Sequence, residues 1–284
     1  MQTSVLNSAR VWRRSLRGAL QVTIISLTSI TIFPFFWSIV LSSHNRESIF
    51  SSVIPMYWGD FFQENYRTLV ELVPYWTAMY NSIVISVLGT FVSLLFCSMA
   101  GYAFALQKFK LKKLLFSFMI ATMMVPPVVS LVPYYLTIQF LGLLNTHLAV
   151  WLPFTAAPVG IFLVRQFIIR SVPPDLIEAA KLDGASDLDV FFRVVLPLIK
   201  PALATLGIIQ FVFFWNNFLT PLVVLSEQDK LVLPLALRSL QNHPNAPWGA
   251  VMVGTTLAFI PVLIVYFFFS RKIIAGLTSG AVKG

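Results

Sequence analysis

Residues 114–164 read LLFSFMIATMMVPPVVSLVPYYLTIQFLGLLNTHLAVWLPFTAAPVGIFLV, 51 residues without Asp, Glu, Lys or Arg. A helix rises 1.5 Å per residue, so roughly 20 apolar residues cross the ~30 Å hydrocarbon layer of a bilayer. The stretch is long enough for two crossings, and Gly, Asn, Thr and His gather at 142–147 to divide them. Outward from it, residues 18–45, 72–107, 201–226 and 239–270 lack the same charges, each long enough for one crossing. These runs are apolar on all sides, whereas membrane strands alternate with a period of two. The expected fold is an all-α integral membrane protein. It has six transmembrane helices near 19–41, 78–106, 114–138, 147–167, 202–225 and 249–270, in a single domain over 1–284.

Composition agrees. The chain is 57% hydrophobic and 11% charged, against about 25% charged in soluble domains, so lipid is the solvent that suits it. Orientation follows from Lys and Arg near the spans. Arg10, Arg13, Arg14 and Arg17, then Lys108, Lys110, Lys112 and Lys113, then five basic residues in 165–200 and three at the C-terminal end give sixteen on one side. Arg46, Arg67, Lys230 and Arg238 give four on the other. The basic side is expected to be cytoplasmic, with both termini there, and the net charge of +9 is a topology signal. Nucleic acid is not an expected partner, because no basic stripe interleaved with aromatics occurs outside the loops. Arg13-Arg14 before an apolar run suggests a twin-arginine export signal. The run is too long for one and no small-x-small cleavage site follows, so it reads as a retained first helix. Cys97 is the one cysteine, which rules out an internal disulfide.

Several chemistries are not written in the chain. No Lys is followed by Ser or Thr, so the usual phosphate-cradling loop is missing. His44, His147 and His243 fall in loops far apart in sequence, without metal-ligand spacing. No Asp, Glu, Lys or Arg lies inside the charge-free stretches, and ion-coupled carriers usually need such groups. A membrane enzyme would need paired carboxylates, a metal cluster or an activated nucleophile within a span. No catalytic residue and no metal site are expected. If transport runs uphill, its energy arrives from another subunit; a stand-alone secondary transporter or channel is the alternative, since backbone carbonyls can bind Na⁺.

The loop 171–201 reads SVPPDLIEAAKLDGASDLDVFFRVVLPLIKP. Pro174 suits the first helical position, Asp175 the positive end of the dipole, and Gly184 a left-handed stop. Leu176, Ile177, Ala179 and Ala180 share one face, with Glu178 and Lys181 opposite. Ser186 caps a second helix with Asp187 and Asp189 in its first turn, and Leu188, Phe191, Phe192 and Val195 form a stripe that Pro197 ends. Two short amphipathic helices meet at a glycine bend. Periodicity admits two covers for their apolar faces, the chain's own helix ends or another subunit.

Glu178-Ala179-Ala180, then Asp183-Gly184-Ala185, then Leu196-Pro197-Leu198 resemble the EAA loop of ABC importer permeases, in the carbohydrate branch of that family. The last residues, Gly276-Leu277-Thr278-Ser279-Gly280-Ala281-Val282-Lys283-Gly284, resemble the tail of the second permease of maltose-type importers. Asn81-Ser82, Trp215-Asn216-Asn217-Phe218 and Leu233-Pro234-Leu235 add to the likeness, which runs from about residue 76 to the end. Ala236 departs from it where a glycine is usual. The resemblance implies a non-catalytic pore subunit in a bacterial cytoplasmic membrane. Its implied partners are a homologous second permease, two ATP-binding subunits that carry ATP and Mg, and a solute-binding protein outside. It assigns contact with the ATPase to Glu178, Ala179, Ala180, Asp183, Gly184, Leu188, Phe191, Leu196 and Pro197. It also sets the tail, through Gly276, Gly280 and Lys283, at the ATPase interface, though a tail with two internal glycines read alone is a frayed end.

A candidate pathway gathers around Trp215, Asn216, Asn217 and Phe218. Amides in lipid need partners, and these either bond a neighbouring helix or meet sugar hydroxyls, with the aromatic rings stacking on sugar. Asn81 at the outer end of the second span is the fifth such residue; helix capping is its other reading. Pro126, Pro127, Pro133, Pro153 and Pro158 each remove a backbone hydrogen bond and kink the middle spans, as packing features or as a gate near Met123–Pro127. The outer loop 226–248 is expected to connect spans or, by the resemblance, to meet the binding protein.

Overall fold

The computed structural model describes residues 2–243 and 245–279, with side chains described for 17–243 and 245–269. Every regular element among them is helical. Helices Arg17–Leu41, Tyr75–Leu106 and Trp248–Phe269 are each long and apolar enough to cross a bilayer unaided. Three further pairs qualify when each is taken as one bent span, which brings the possible total to six. The described residues pack as two compact units, one holding the chain up to Glu71 with His243–Leu257, the other Leu72–Asn242 with the chain from Ala258 onward.

In the first unit, helix Gln2–Leu41 leads into a knot around Asn65 of helix Phe62–Leu72. The Asn65 amide donates to the carbonyls of Ser42 and His44 at 2.9 Å each. Gly249, at the start of helix Trp248–Ser279, lies so close that a Cβ there would stand 2.3 Å from Asn65 Oδ1. Only glycine fits that approach.

In the second unit, helix Tyr75–Leu106 is the axis, and helices Pro158–Ser171 and Lys200–Trp215 pack along it. Lipid tails are as apolar as leucine, so close packing rather than water exclusion drives such contacts. The sequence supplies small residues for it at steps of three or four: Ser82, Ser86, Gly89, Ser93, Cys97 and Gly101, all buried. A Cβ on Gly101 would stand 2.7 Å from Val164 Cγ1 and 3.1 Å from the Arg165 backbone nitrogen. One on Gly160 would stand 2.8 Å from Cys97 Sγ, and one on Gly89 2.9 Å from the Phe214 ring. Two apolar clusters result. One joins Tyr102, Ile168 and Val172 to Val190, Phe191, Val195 and Ile199 of the 171–201 loop. The other joins Ile85, Ile138 and Val150 to Phe214, Val224 and Val232.

Three expected spans differ in shape. In place of a straight 114–138 helix, Lys112–Thr122 and Pro127–Phe140 meet at 99°. Pro126 and Pro127 each lack a backbone donor and deny helical φ/ψ to the residue before them, so the helix cannot continue through them. The 147–167 region is Leu148–Phe154 followed by Pro158–Ser171 at 44°, with Pro158 opening the second helix. The helix expected over 202–225 stops at Trp215, and a short helix Leu219–Val224 follows the break.

Candidate functional site

The 171–201 loop is built from local signals. Pro174 starts helix Pro174–Leu182. Gly184 takes φ +83°, and a hydrogen-bonded C-terminal motif closes around it, Ala185 N–H to Ala180 O at 3.0 Å and Gly184 N–H to Lys181 O at 3.1 Å. Ser186 then forms a reciprocal cap with Asp189: Asp189 N–H donates to Ser186 Oγ at 3.2 Å and Ser186 N–H to Asp189 Oδ2 at 3.3 Å. The second helix widens into a π turn over Val190–Val195.

The same loop is anchored from below. Phe191 is 1% exposed and packs on Tyr102 with ring centroids 5.4 Å apart. The Tyr102 hydroxyl donates to Asp187 O at 3.2 Å and accepts from Gln107 Nε2 at 2.8 Å. Ile177, Ala180, Ala185 and Leu196 also pack against this cluster. The apolar faces foreseen in the sequence therefore divide. Ile177, Ala180, Phe191 and Val195 are covered by the chain itself, while Leu176, Ala179, Leu188 and Phe192 remain uncovered; Leu182, off the foreseen face, is 89% exposed as well. Glu178, Asp183, Gly184 and Pro197 are exposed too. Of the residues assigned to ATPase contact, Phe191 is a support for the crest and has no surface to offer; Ala180 and Leu196 are half-buried beside it.

Charges on the crest are paired along the loop. Lys181 Nζ lies 3.1 Å from Asp187 Oδ1, and Arg193 Nε 3.3 Å from Asp189 Oδ1. Hydrogen bonds from Gln107 and then Lys181 hold the Asp187 carboxyl below the usual carboxylate range. The Ser186 hydroxyl and backbone do the same for Asp189, helped by Arg193.

Trp215 is buried and closes its helix, and Asn216, Asn217 and Phe218 form the break. Asn216 is exposed and its amide folds back to Val212 O at 3.0 Å. Asn217 Oδ1 accepts from Thr220 N–H at 3.3 Å, capping the next helix, while its Nδ2 is buried without a partner among the described residues. These amides therefore sit at an interruption between two helices. The sequence reading placed them inside a continuous one.

Asn81 does not cap its helix, and its amide hydrogens are taken up within the chain. It lies within helix 75–106, 4% exposed, and its Nδ2 donates to the carbonyls of Asp229 and Leu231 at 2.9 Å each. Ser82 Oγ accepts from Leu233 N–H at 2.7 Å, His147 Nε2 lies 3.2 Å from Lys230 O, and Asn145 Oδ1 accepts from Ser226 N–H at 2.6 Å. The segment 226–233 is stapled to its own unit by four side chains, and helix Leu233–Gln241 follows with Leu233, Leu235, Ala236 and Leu240 buried. Sequence reasoning missed Asn145 and His147 in this role. The small-residue stripe at 82–101 was readable from its spacing and was also passed over. Gly276 lies in the last helix, while Gly280 and Lys283 lie outside the described residues. Among those residues no group of three His, Cys, Asp or Glu could hold a metal ion.

A helical chain of apolar spans, carrying an exposed apolar crest on a buried base, has the makings of a membrane protein subunit. The comparisons give the family. The chain belongs to the binding-protein-dependent transport system inner membrane components, whose family model matches residues 97–278. It is 39% identical over 210 residues to an arabinooligosaccharides transport system permease of Halalkalibacterium halodurans, covering 74% of this chain and 75% of that one. It is 33% identical to a lactose transport system permease of Rhizobium radiobacter over 95% of this chain and 98% of that one. A diacetylchitobiose uptake system permease of Streptomyces coelicolor is 32% identical, over 96% and 100% respectively. The crystal structure of a bacterial ABC transporter that imports the acidic polysaccharide alginate has the same fold, with a TM-score of 0.76 at 23% identity over 90% of this chain and 96% of that one.

Proposed function

We propose that this chain is one of two permease subunits lining the pathway of an ABC importer for a sugar or oligosaccharide. Relatives transport arabinooligosaccharides, lactose and diacetylchitobiose, and the family's binding-protein dependence implies an external solute-binding protein. Six spans, with Lys200–Trp215 taken as the fifth and the preceding Asp187–Leu198 left in the 171–201 loop, put both termini and the basic loops in the cytoplasm. Two ATP-binding subunits sit below, each holding ATP and Mg, since this chain has no phosphate cradle.

The observation that carries the mechanism is the crest of the 171–201 loop: Leu176, Leu182 and Leu188 exposed around Glu178, Ala179, Asp183 and Gly184, on a base locked by Phe191. An exposed leucine crest on a fixed base is suited to a cleft in a partner. Movement of that partner on ATP binding is passed through Phe191 and Tyr102 into helices 75–106 and 158–171, which turn as rigid bodies and alternate access. By the resemblance, Gly276, Gly280 and Lys283 of the tail would make a second contact, at the interface between the two ATP-binding subunits. At the break after Trp215, the exposed Asn216 with Asn217 and Phe218 lines the solute path; Asn217 Nδ2, buried and without a partner among the described residues, becomes a donor for a sugar hydroxyl in a state that opens the break.

Leu182→Asp tests the crest without touching the core. The variant inserts and melts like the parent, while the ATP-binding subunits no longer co-purify with it and uptake ceases. Co-purification and uptake at parental levels would remove the crest from the mechanism.

A further inference from the structure

We propose that the turn at 107–114 is a seat for the headgroup of an anionic phospholipid, with the acyl chains running along helix Lys112–Thr122. The turn joins helix 75–106 to helix 112–122 and reads QKFKLKKL. Its shape is fixed from within. Leu111 adopts the left-handed conformation at φ 62°, and Lys112 Nζ donates to the carbonyls of Gln107 at 2.8 Å and Ala105 at 3.3 Å, closing the end of helix 75–106. Lys112 is thereby committed to the protein.

Lys108, Lys110 and Lys113 are not. All three are exposed, and none forms an ion pair with a described residue. No acid occurs between Glu71 and Asp175, and the carboxylate that another element brings to the turn, Asp187 beside Gln107, is already paired with Lys181 at 3.1 Å. Lys108 and Lys113 line a concavity of about 520 Å³ with Gln107, Phe109, Leu111, Lys112 and Leu114, and Lys110 lies in the same turn outside its lining. Its rim is cationic and part of its lining apolar, with Leu111 65% and Phe109 40% exposed. The apolar surface runs on along the next helix through Leu114, Leu115 and Phe118, all exposed.

A ligand for such a site needs a negative head and an apolar tail joined together. A soluble phosphate would engage the lysines and gain nothing from the apolar surface beside them, and a zwitterionic lipid would gain little from three unpaired lysines. Juxtamembrane basic clusters hold anionic lipid by attraction that adds up per lysine and is screened by salt. Here the cluster is held at a fixed shape beside an apolar face, which makes retention of individual lipid molecules the expected result.

Native mass spectrometry of the complete transporter, released from detergent containing equal phosphatidylglycerol and phosphatidylcholine of the same acyl chains, reads the ratio retained. The parent keeps phosphatidylglycerol preferentially. Lys108→Gln/Lys110→Gln/Lys113→Gln lowers that preference by about tenfold, with an unchanged melting temperature, and the corresponding triple Arg variant keeps it. Equal retention by the Gln variant overturns the proposal. So does displacement of the lipid by glycerol phosphate at matching concentration, which would make the ligand a soluble anion. Loss of ATP-binding subunits with phosphatidylglycerol retained also overturns it, because the lysines would then face protein.

Discussion

Asn81 lies two turns into helix 75–106, and its amide gives both hydrogens to backbone carbonyls roughly 150 residues downstream. An amide has only two N–H groups, so none remains to donate to a solute. Breaking both bonds in a buried place costs about 1–3 kcal/mol. Asn81→Ala is therefore expected to raise amide hydrogen exchange across 226–233 while the KM for uptake by the assembled transporter stays within twofold. Asn81→Asp, nearly the same shape, does worse, because it turns an oxygen toward the carbonyls of Asp229 and Leu231. A large rise in KM with unchanged exchange would return Asn81 to the pathway. Asn217 is the contrasting amide, because its Nδ2 is buried without a partner among the described residues. The sequence presents the two alike, as polar residues beside apolar runs. What separates them is a contact made by distant chain, and no local spacing encodes that.

Whether an element could be read in advance depended on how local its causes are. The 171–201 loop was legible because each of its features is set by a residue acting within five positions: Pro174 at the helix start, Gly184 at φ +83°, Ser186 with Asp189 at the cap. Which half of its apolar surface stays uncovered was not, since Tyr102, which packs on Phe191, comes from another helix. Hydropathy found the apolar stretch at 114–138 but says nothing of direction. Pro126-Pro127 marked the break there, and tertiary packing set its 99° angle. The caps also give the loop a pH dependence. Asp187 and Asp189 have carboxyls held below the usual range by hydrogen bonds from Gln107 and Ser186 respectively. A depressed carboxyl contributes stability above its unfolded value and loses it as pH falls through the folded one. The loop is thus expected to keep its full order from neutral pH down to the usual carboxylate range and to loosen only below it. A label on Leu182→Cys, read by electron spin resonance, follows this. In Asp189→Asn the label is already more mobile at neutral pH. Equal mobility of the two at pH 7 would show that the cap does not order the crest.

At the scale of the molecule, the balance of surface and chemistry sets what the chain can do. Helix Arg17–Leu41 has only 17% of its most apolar window buried within the protein, so most of its surface requires lipid or another subunit. The chain has no Gly-Lys-Ser/Thr cradle for a nucleotide. Of the six expected spans only 147–167 holds an Asp, Glu, Lys or Arg, and that residue, Arg165, is committed to the protein, its Nε donating to Phe104 O at 3.0 Å and its guanidinium lying 4.2 Å from the centre of the Phe116 ring; no carboxylate stands in a span to couple an ion. Close packing at Gly101 and Gly160 joins helix 75–106 to helix 158–171, an arrangement that would carry a push from the 171–201 crest but supplies none. Reconstitution separates the two readings. Liposomes containing this chain alone are expected to hydrolyse no ATP and to accumulate no sugar under a Na⁺ or proton gradient. Adding the homologous permease, the ATP-binding subunits and the solute-binding protein gives ATP-dependent accumulation, and omission of the binding protein lowers it by at least tenfold. Uphill uptake by the chain alone under an ion gradient would instead make it a secondary transporter, and the crest at Leu182 a surface without a partner.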